Sequence, residues 1–194
     1  MTADIPRVIL HIETSREHGR QLLRGIAEYA RLHGPWAFYS EPGGRQTTYP
    51  KLDSWHADGI ITRGWDQELG SARVPLVCAS DREYIPSGVS VSSDYAATGQ
   101  AAAEYLLDRG FRYYAFCGLN NVFWSQQREM YYGKVIESHG FACDCYNRPG
   151  AIIQRFWDRE QTALAQWLGS LPKPVGLMAC NDERAKHVIE ACRI

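Results

Sequence analysis

The sequence lacks the features that place a protein in a membrane or on an export route. No apolar run among its 194 residues approaches the roughly 20 residues of a membrane span. Its start, MTADIPRVILHIETS, has no basic region ahead of an apolar one and leads straight into a strand-like run. We therefore expect a cytoplasmic protein with no membrane partner.

An excess of positive charge is also missing, since the formal net charge is −1. Phosphate contacts need clustered Lys and Arg, so this chain is not expected to be the DNA-binding part of a protein. The six cysteines lie mostly in apolar runs, which is typical of reduced core residues. Cys143 and Cys145 share one face of a strand, but no second pair supports a metal site. We expect no metal and no cofactor.

The common catalytic motifs are absent as well. The sequence contains no GxGxxG after its first strand, no GxxxxGK[ST] and no GxSxG. Glu13 and Glu17 are four residues apart and could form a carboxylate pair. We favour a simpler interpretation, in which Thr14 and Glu17 form a capping box at the start of a helix. No catalytic residue is predicted.

What the chain does contain is a regular alternation of strands and helices. Short apolar runs indicate strands at residues 8–12, 36–40, 59–62, 74–79, 89–92, 112–117, 141–146 and 175–180. Longer periodic segments between them indicate helices. In the first helix, Leu22, Leu23 and Ile26 are predicted to face inward. In the helix at 95–109, Ala97, Ala101, Tyr105 and Leu106 are predicted to face inward. Such alternation predicts an α/β fold with parallel sheets flanked by helices.

The length of 194 residues fits one large domain or two small lobes, and a hinge after the strand at 112–117 would divide the chain into lobes at residues 1–119 and 120–194. The strand at 112–117 is assigned to the first lobe, and residues 118–123 are expected to form a hinge. The second lobe then retains two strands, and a two-stranded sheet is marginal by itself. We therefore expect an incomplete second lobe that depends on a partner or on further residues.

Polar residues collect where the predicted strands end, which is the edge of a parallel sheet that binds ligands. Capping explains Thr14, Ser15, Ser93 and Ser125 well, with Ser125 starting a helix and Arg128 lying in its first turn. Arg128, Trp65, Trp124 and Asp182 are not needed as caps. Aromatic faces beside an Arg and acidic or amide groups are typical of a sugar site. For His18, a surface position and a ligand contact are both open.

Three segments carry a resemblance to a known family: VSVSSDYAATGQAAAEYLLDRGFRYYAFCG, the Arg128-Glu129…Tyr132-Gly133 motif, and PVGLMACNDERAKHVIEA. They resemble the effector domains of the lactose-repressor/galactose-repressor class, which share their fold with periplasmic sugar-binding proteins. The closer resemblance is to xylose-responsive regulators of the arabinose-regulator type. The resemblance covers nearly the whole chain and implies a two-lobed periplasmic-binding-protein-like fold.

The resemblance also implies a function and a set of ligand contacts. It implies a homodimer that binds D-xylose or a similar monosaccharide between its lobes, and DNA contact only through a C-terminal helix-turn-helix module that this chain lacks. An α/β enzyme using Asp94, Glu13 or His18 is the alternative. The predicted ligand-binding residues are Arg16, Glu17, His18, Trp65, Asp66, Ser93, Asp94, Trp124, Arg128, Asn181 and Asp182.

Overall fold

The computed structural model describes residues 5–15, 17–40, 56–64, 69, 73–79 and 88–194. Among these residues, no helix is long and apolar enough to cross a membrane. The chain divides into two compact units, Met1–Ser92 (unit 1) and Ser93–Ile194 (unit 2). This division replaces the boundary predicted at residues 119 and 120.

Unit 1 contains a five-stranded parallel sheet. Its described elements are β1 (Arg7–His11), α1 (Glu17–His33), β2 (Ala37–Ser40), β3 (Gly59–Thr62), β4 (Leu76–Cys78) and β5 (Val89–Ser90). The strand order is β2-β1-β3-β4-β5, and every neighbouring pair is parallel. Side chains alternate between the two faces of a strand, so Val8 and Leu10 face α1 while Ile9 faces the other core cluster. The inward positions predicted on α1 are confirmed.

Unit 2 contains a three-stranded parallel sheet in the order β7-β6-β8. Its elements are α2 (Tyr95–Asp108), β6 (Tyr113–Asn120), α3 (Phe123–Ser138), β7 (Cys143–Pro149), α4 (Gly150–Arg155), α5 (Trp157–Ser170), β8 (Val175–Ala179) and α6 (Asp182–Ala191). Helices α2 and α3 cover one face of the sheet, and α5 and α6 cover the other. The α/β class with parallel sheets flanked by helices is therefore confirmed.

The assignment of the strand at 112–117 to the first lobe is wrong. Strand β6 is the centre of the second sheet and pairs with β7 along Tyr114–Asn120 and with β8 along Tyr113–Cys117. Residues 118–123 accordingly lie within unit 2 and do not form the connection between the units. The second sheet gains a third strand by this correction.

The helix boundaries in unit 2 also differ from the predictions. Helix α3 begins at Phe123, and its N-cap is Val122 rather than Ser125. Ser125 is buried, and its hydroxyl accepts a hydrogen bond from the Leu119 N–H at 2.9 Å. The residues at 150–155, which carry no strong apolar period, form the short helix α4.

Helices α2 and α3 approach each other closely at Gly99. A methyl carbon at Gly99 would lie 2.7 Å from the backbone nitrogen of Tyr132 and 2.8 Å from the Cβ of Tyr131. The buried positions of α2 are Tyr95, Gly99 and Ala103, so the predicted inward face is wrong for three of its four residues, while Leu106 does pack against the core as predicted. Ala97, Ala101 and Tyr105 are exposed instead.

We expect Gly99→Ala to destabilise unit 2 by about 1–3 kcal/mol, because overpacking a close helix contact outweighs the gain in helix propensity. Gly133→Ala on α3 is the matched control, since nothing lies within 4 Å of a methyl carbon there. Alanine at Gly133 should raise stability by up to about 1 kcal/mol. Urea denaturation of both variants measures this difference, and equal effects at the two positions would contradict the close packing.

Candidate functional site

Each sheet has a point at which its connections turn in opposite directions. In unit 2, β6 leads through α3 to β7 on one side, while β8 lies on the other side of β6. In unit 1, β2 and β3 flank β1 in the same way. Ligands of doubly wound sheets bind outside the carboxyl ends of the strands at such switch points. The candidate site of unit 2 therefore lies beyond β6 and β8, and the switch point of unit 1, taken by itself, lies beyond β1 and β3.

Arg128 spans the switch point of unit 2. It belongs to α3, the helix that follows β6, and its Nη1 donates a 2.6 Å hydrogen bond to the carbonyl oxygen of Cys180. Cys180 directly follows β8, and its own N–H donates to the Cys117 carbonyl on β6 at 2.9 Å. Because α3 begins two residues earlier than predicted, Arg128 lies in its second turn and not in its first.

Two aromatic rings lie near the Arg128 guanidinium. Its Cζ lies 5.1 Å from the ring centre of Trp124 and 6.0 Å from that of Tyr95. The ring of Phe123 stands perpendicular to Tyr95, with 6.0 Å between the ring centres. Within the described part of the chain, the Arg128 Nε is buried and makes no hydrogen bond. The guanidinium is therefore oriented by one carbonyl and two aromatic faces, and it retains hydrogen-bonding capacity for a ligand.

Asn181 and Asp182 lie at the same edge as Arg128. They directly follow Cys180, and Asn181 caps α6 by accepting a hydrogen bond from the Arg184 N–H at 2.8 Å. Asp182 is the first residue of that helix and is exposed. The structure thus places Arg128, Asn181 and Asp182 around the carboxyl end of β8, while their contact with a ligand stays a prediction.

Ser93 and Asp94 begin unit 2 and do not belong to the first lobe. Asp94 is the N-cap of α2, and its carboxylate accepts a 2.8 Å hydrogen bond from the Ala97 N–H. Both residues are exposed. They directly precede Tyr95, which lies over Arg128, and this brings them to the aromatic side of the candidate site.

Five ligand contacts were predicted in the first unit. Three of them, Arg16, Trp65 and Asp66, lie outside the described residues. Glu17 and His18 are exposed in the first turn of α1. Hydrogen bonds from Arg20 and Gln21 to the Glu17 carboxylate lower its pKa. Glu17 is the first residue of α1 rather than its third, so the predicted capping box with Thr14 is wrong.

Other polar residues, which we did not predict as ligand contacts, lie in strands of the two sheets. In unit 1, the His11 Nδ1 is 3.3 Å from the Thr62 Oγ1, and Thr62 is fully buried. In unit 2, the Asn147 Nδ2 donates to the Glu129 carboxylate at 2.9 Å, and Asn147 Oδ1 is buried without a partner among the described residues. Each of His11, Thr62 and Asn147 lies near the carboxyl end of a strand, and this position is the signal that could have found them.

The thiols near the site have raised pKa values. Burial raises the pKa of Cys117 to about 12 and also raises the pKa of Cys180. Cys143 and Cys145 do share a face, with 3.9 Å between their sulfur atoms. The described residues contain no group of three or more His, Cys, Asp or Glu side chains that could hold a metal ion. The site thus offers hydrogen-bonding and aromatic groups and protonated thiols.

The fold is similar to that of known proteins. Residues 103–194 match the family described as periplasmic binding protein-like domain. A LacI-family regulatory protein from Chloroflexus aggregans superimposes with a TM-score of 0.75 at 16% identity, over 96% of this chain and 72% of that one. The chain has a periplasmic-binding-protein-like fold, and the resemblance predicted from the sequence is confirmed.

Within that class, the chain is similar to regulators of xylose operons. It is 25% identical over 198 residues to the xylose operon regulatory protein of Escherichia coli K12, covering 96% of this chain and 50% of that protein. The structure of a xylose-binding transcription activator, xylR, superimposes with a TM-score of 0.81 at 23% identity, over 100% of this chain and 51% of that one. The chain thus spans about half the length of the curated relatives it matches.

Proposed function

We propose that this chain is the sugar-sensing effector part of a transcriptional regulator, and that its ligand is D-xylose or a related monosaccharide. The observation that carries the proposal is the Arg128 guanidinium at the switch point of unit 2. It donates to the Cys180 carbonyl, lies 5.1 Å and 6.0 Å from the ring centres of Trp124 and Tyr95, and has a buried Nε without a partner among the described residues. A fork of N–H donors beside aromatic faces suits a ring with adjacent hydroxyls.

The other predicted residues take supporting roles in this proposal. Beside Arg128, Asn181 donates hydrogen bonds to sugar hydroxyls from its Nδ2, Asp182 accepts them, and Ser93 and Asp94 contribute from the start of α2. The residues predicted in the first unit, namely Arg16, Glu17, His18, Trp65 and Asp66, are proposed as further ligand contacts. The names of the similar proteins, a xylose operon regulator and a xylose-binding activator, support the choice of sugar.

The regulatory context is part of the same proposal. We propose a cytoplasmic homodimer that contacts DNA only through a module outside this chain. With a formal net charge of −1, these 194 residues are poorly suited to bind phosphate themselves. Sugar binding would then change the geometry of the effector part and so control the separate DNA-binding module.

Isothermal titration calorimetry against D-xylose, L-arabinose, D-ribose and D-glucose tests the proposal. We expect saturable heat with D-xylose at micromolar concentrations and weaker heat with the other sugars, since a missing or misplaced hydroxyl leaves buried polar groups unpaired. The absence of heat with every sugar would refute the assignment.

The enzyme alternative is tested in the same samples. NMR spectra of D-xylose incubated with the protein should remain unchanged, and a new product would favour catalysis. Two of the groups that an enzyme would use are already engaged, since Asp94 caps α2 and the Glu13 carboxylate accepts a hydrogen bond from the Ser15 N–H at 2.7 Å.

A further inference from the structure

Unit 2 contains a buried ion pair that the candidate site does not use directly. Glu160 on α5 and Arg184 on α6 are only 4% and 1% exposed. The Arg184 Nη2 donates to the Glu160 Oε1 at 2.7 Å. Two full charges are therefore removed from water inside the layer formed by α5, α6 and one face of the sheet.

Stability alone does not account for this pair. Removing two charges from water is costly, and apolar residues of similar volume are often equally stable or more stable. Arg184 is also the third residue of α6, where the helix already carries a partial positive charge. Its buried Nε has no partner among the described residues, so even its hydrogen bonding is incomplete. A directional link between elements is what an ion pair offers and apolar packing does not.

The pair links α5 to the carboxyl end of β7. The Tyr146 hydroxyl donates to the second oxygen of Glu160 at 3.3 Å. The Arg148 Nε lies 3.4 Å from that hydroxyl and 3.9 Å from the same carboxylate oxygen. Arg148 also lies in register with Leu119 near the end of β6. Glu160 therefore holds residues that lead into the ligand edge of the sheet.

The pair also links α5 to the start of α6. The backbone N–H of Arg184 donates to the Asn181 Oδ1, so the residue held by Glu160 is the residue capped by Asn181. On its other side, the Arg184 Nη1 lies 3.4 Å from the His187 Nδ1, and His187 packs on Trp157 of α5 with 4.3 Å between ring centres. The first turn of α6 is thereby held to α5 through Arg184, and the second turn through His187.

We infer that Glu160 and Arg184 are positioning residues, which hold Asn181 and Asp182 in place beside Arg128. The inference rests on the proposed function, in which those residues bind the sugar. Side chains that bind a ligand need support from the layer behind them, and losing such support weakens binding without removing any contact group.

The test is a double variant, Glu160→Leu with Arg184→Met, in the intact protein. Its matched control is Arg159→Met with Lys186→Met, which changes exposed residues of the same two helices. We expect the first variant to fold with an unchanged circular dichroism spectrum. Its Kd for D-xylose should rise by roughly tenfold, as is typical when supporting partners are lost, and the control should bind as the wild type does.

Hydrogen exchange gives a readout that needs no ligand. The Arg184 amide, which donates to Asn181, should exchange at least about tenfold faster in the double apolar variant, because the turn that it caps is no longer fixed. Amides in the middle of α5 should keep their protection. Glu160→Gln, which keeps the shape but removes the charge, should change both measurements in the same direction and replaces the double variant if that variant does not fold.

The outcomes separate the two claims. Unchanged affinity for D-xylose in a folded variant overturns the inference whatever the exchange rates are. A wild-type protein that binds no sugar refutes the proposed function, and the exchange of the Arg184 amide then decides alone whether the ion pair positions the start of α6.

Discussion

Arg184→Ala should lower the free energy of unfolding of unit 2 by about 3–5 kcal/mol, the usual effect of removing one partner of a buried ion pair. The reason is that Glu160 would keep its carboxylate in the core while losing the guanidinium at 2.7 Å. Tyr146 would remain as a hydrogen-bond donor to that carboxylate, and the half-exposed Arg148, whose Nε is 3.9 Å away, would neutralise its charge only in part. The change also leaves a cavity where a long side chain was packed.

Urea denaturation followed by circular dichroism measures this effect. Lys186→Ala is the control on the same helix, and its exposed side chain predicts a change within about 0.5 kcal/mol. A loss of less than about 1 kcal/mol for Arg184→Ala would mean that water reaches the Glu160 carboxylate, since exposed ion pairs are worth that little.

Much of the fold could be predicted because the sequence marks its elements locally. Apolar strands alternating with periodic helices specified parallel sheets. Gly110 and Gly140, which follow α2 and α3, are local signals of the same kind, because both residues have the positive φ angles, 76° and 81°, that favour glycine after a helix. Such signals depend on residues a few positions apart, and sequence inspection recognises them well.

The sheet assignment of β6 could not be predicted in the same way. An apolar strand has the same local pattern whichever sheet it joins, and its partners lie about 30 and 60 residues further along the chain. The inward face of α2 was missed for a related reason. Its sequence YAATGQAAAE is small and apolar on several sides, so it lacks the contrast that marks one face.

The polar residues near the candidate site also differ in whether a local sequence pattern marks them. Arg128 and Asn181 were predicted as ligand contacts because the sequence places them near junctions between loops and helices, where the local pattern singles out polar residues. Thr62, Asn147 and the Glu160–Arg184 pair were missed because polar residues within strands and helices resemble a solvated face. Only the tertiary structure shows that Thr62, Glu160 and Arg184 are buried.

Arg128 carries the largest expected effect on ligand binding. We expect Arg128→Ala to lower the affinity for D-xylose by about 100-fold, since hydrogen bonds to charged groups contribute about 1.5–3 kcal/mol and tenfold corresponds to about 1.4 kcal/mol. Arg128→Lys should lose nearly as much. A lysine keeps the charge, but it lacks the planar fork that can contact the Cys180 carbonyl and adjacent hydroxyls together.

Calorimetry on folded variants measures the loss, and Arg155→Ala serves as the control because Arg155 is an exposed arginine of the same unit. Stability must be measured separately, since losing the bond to the Cys180 carbonyl should itself cost about 1 kcal/mol. If Arg128→Lys bound D-xylose within about threefold of the wild type, charge alone would explain the role of Arg128. The sugar would then have to be held chiefly by other groups, and the central observation behind the proposed function would lose its force.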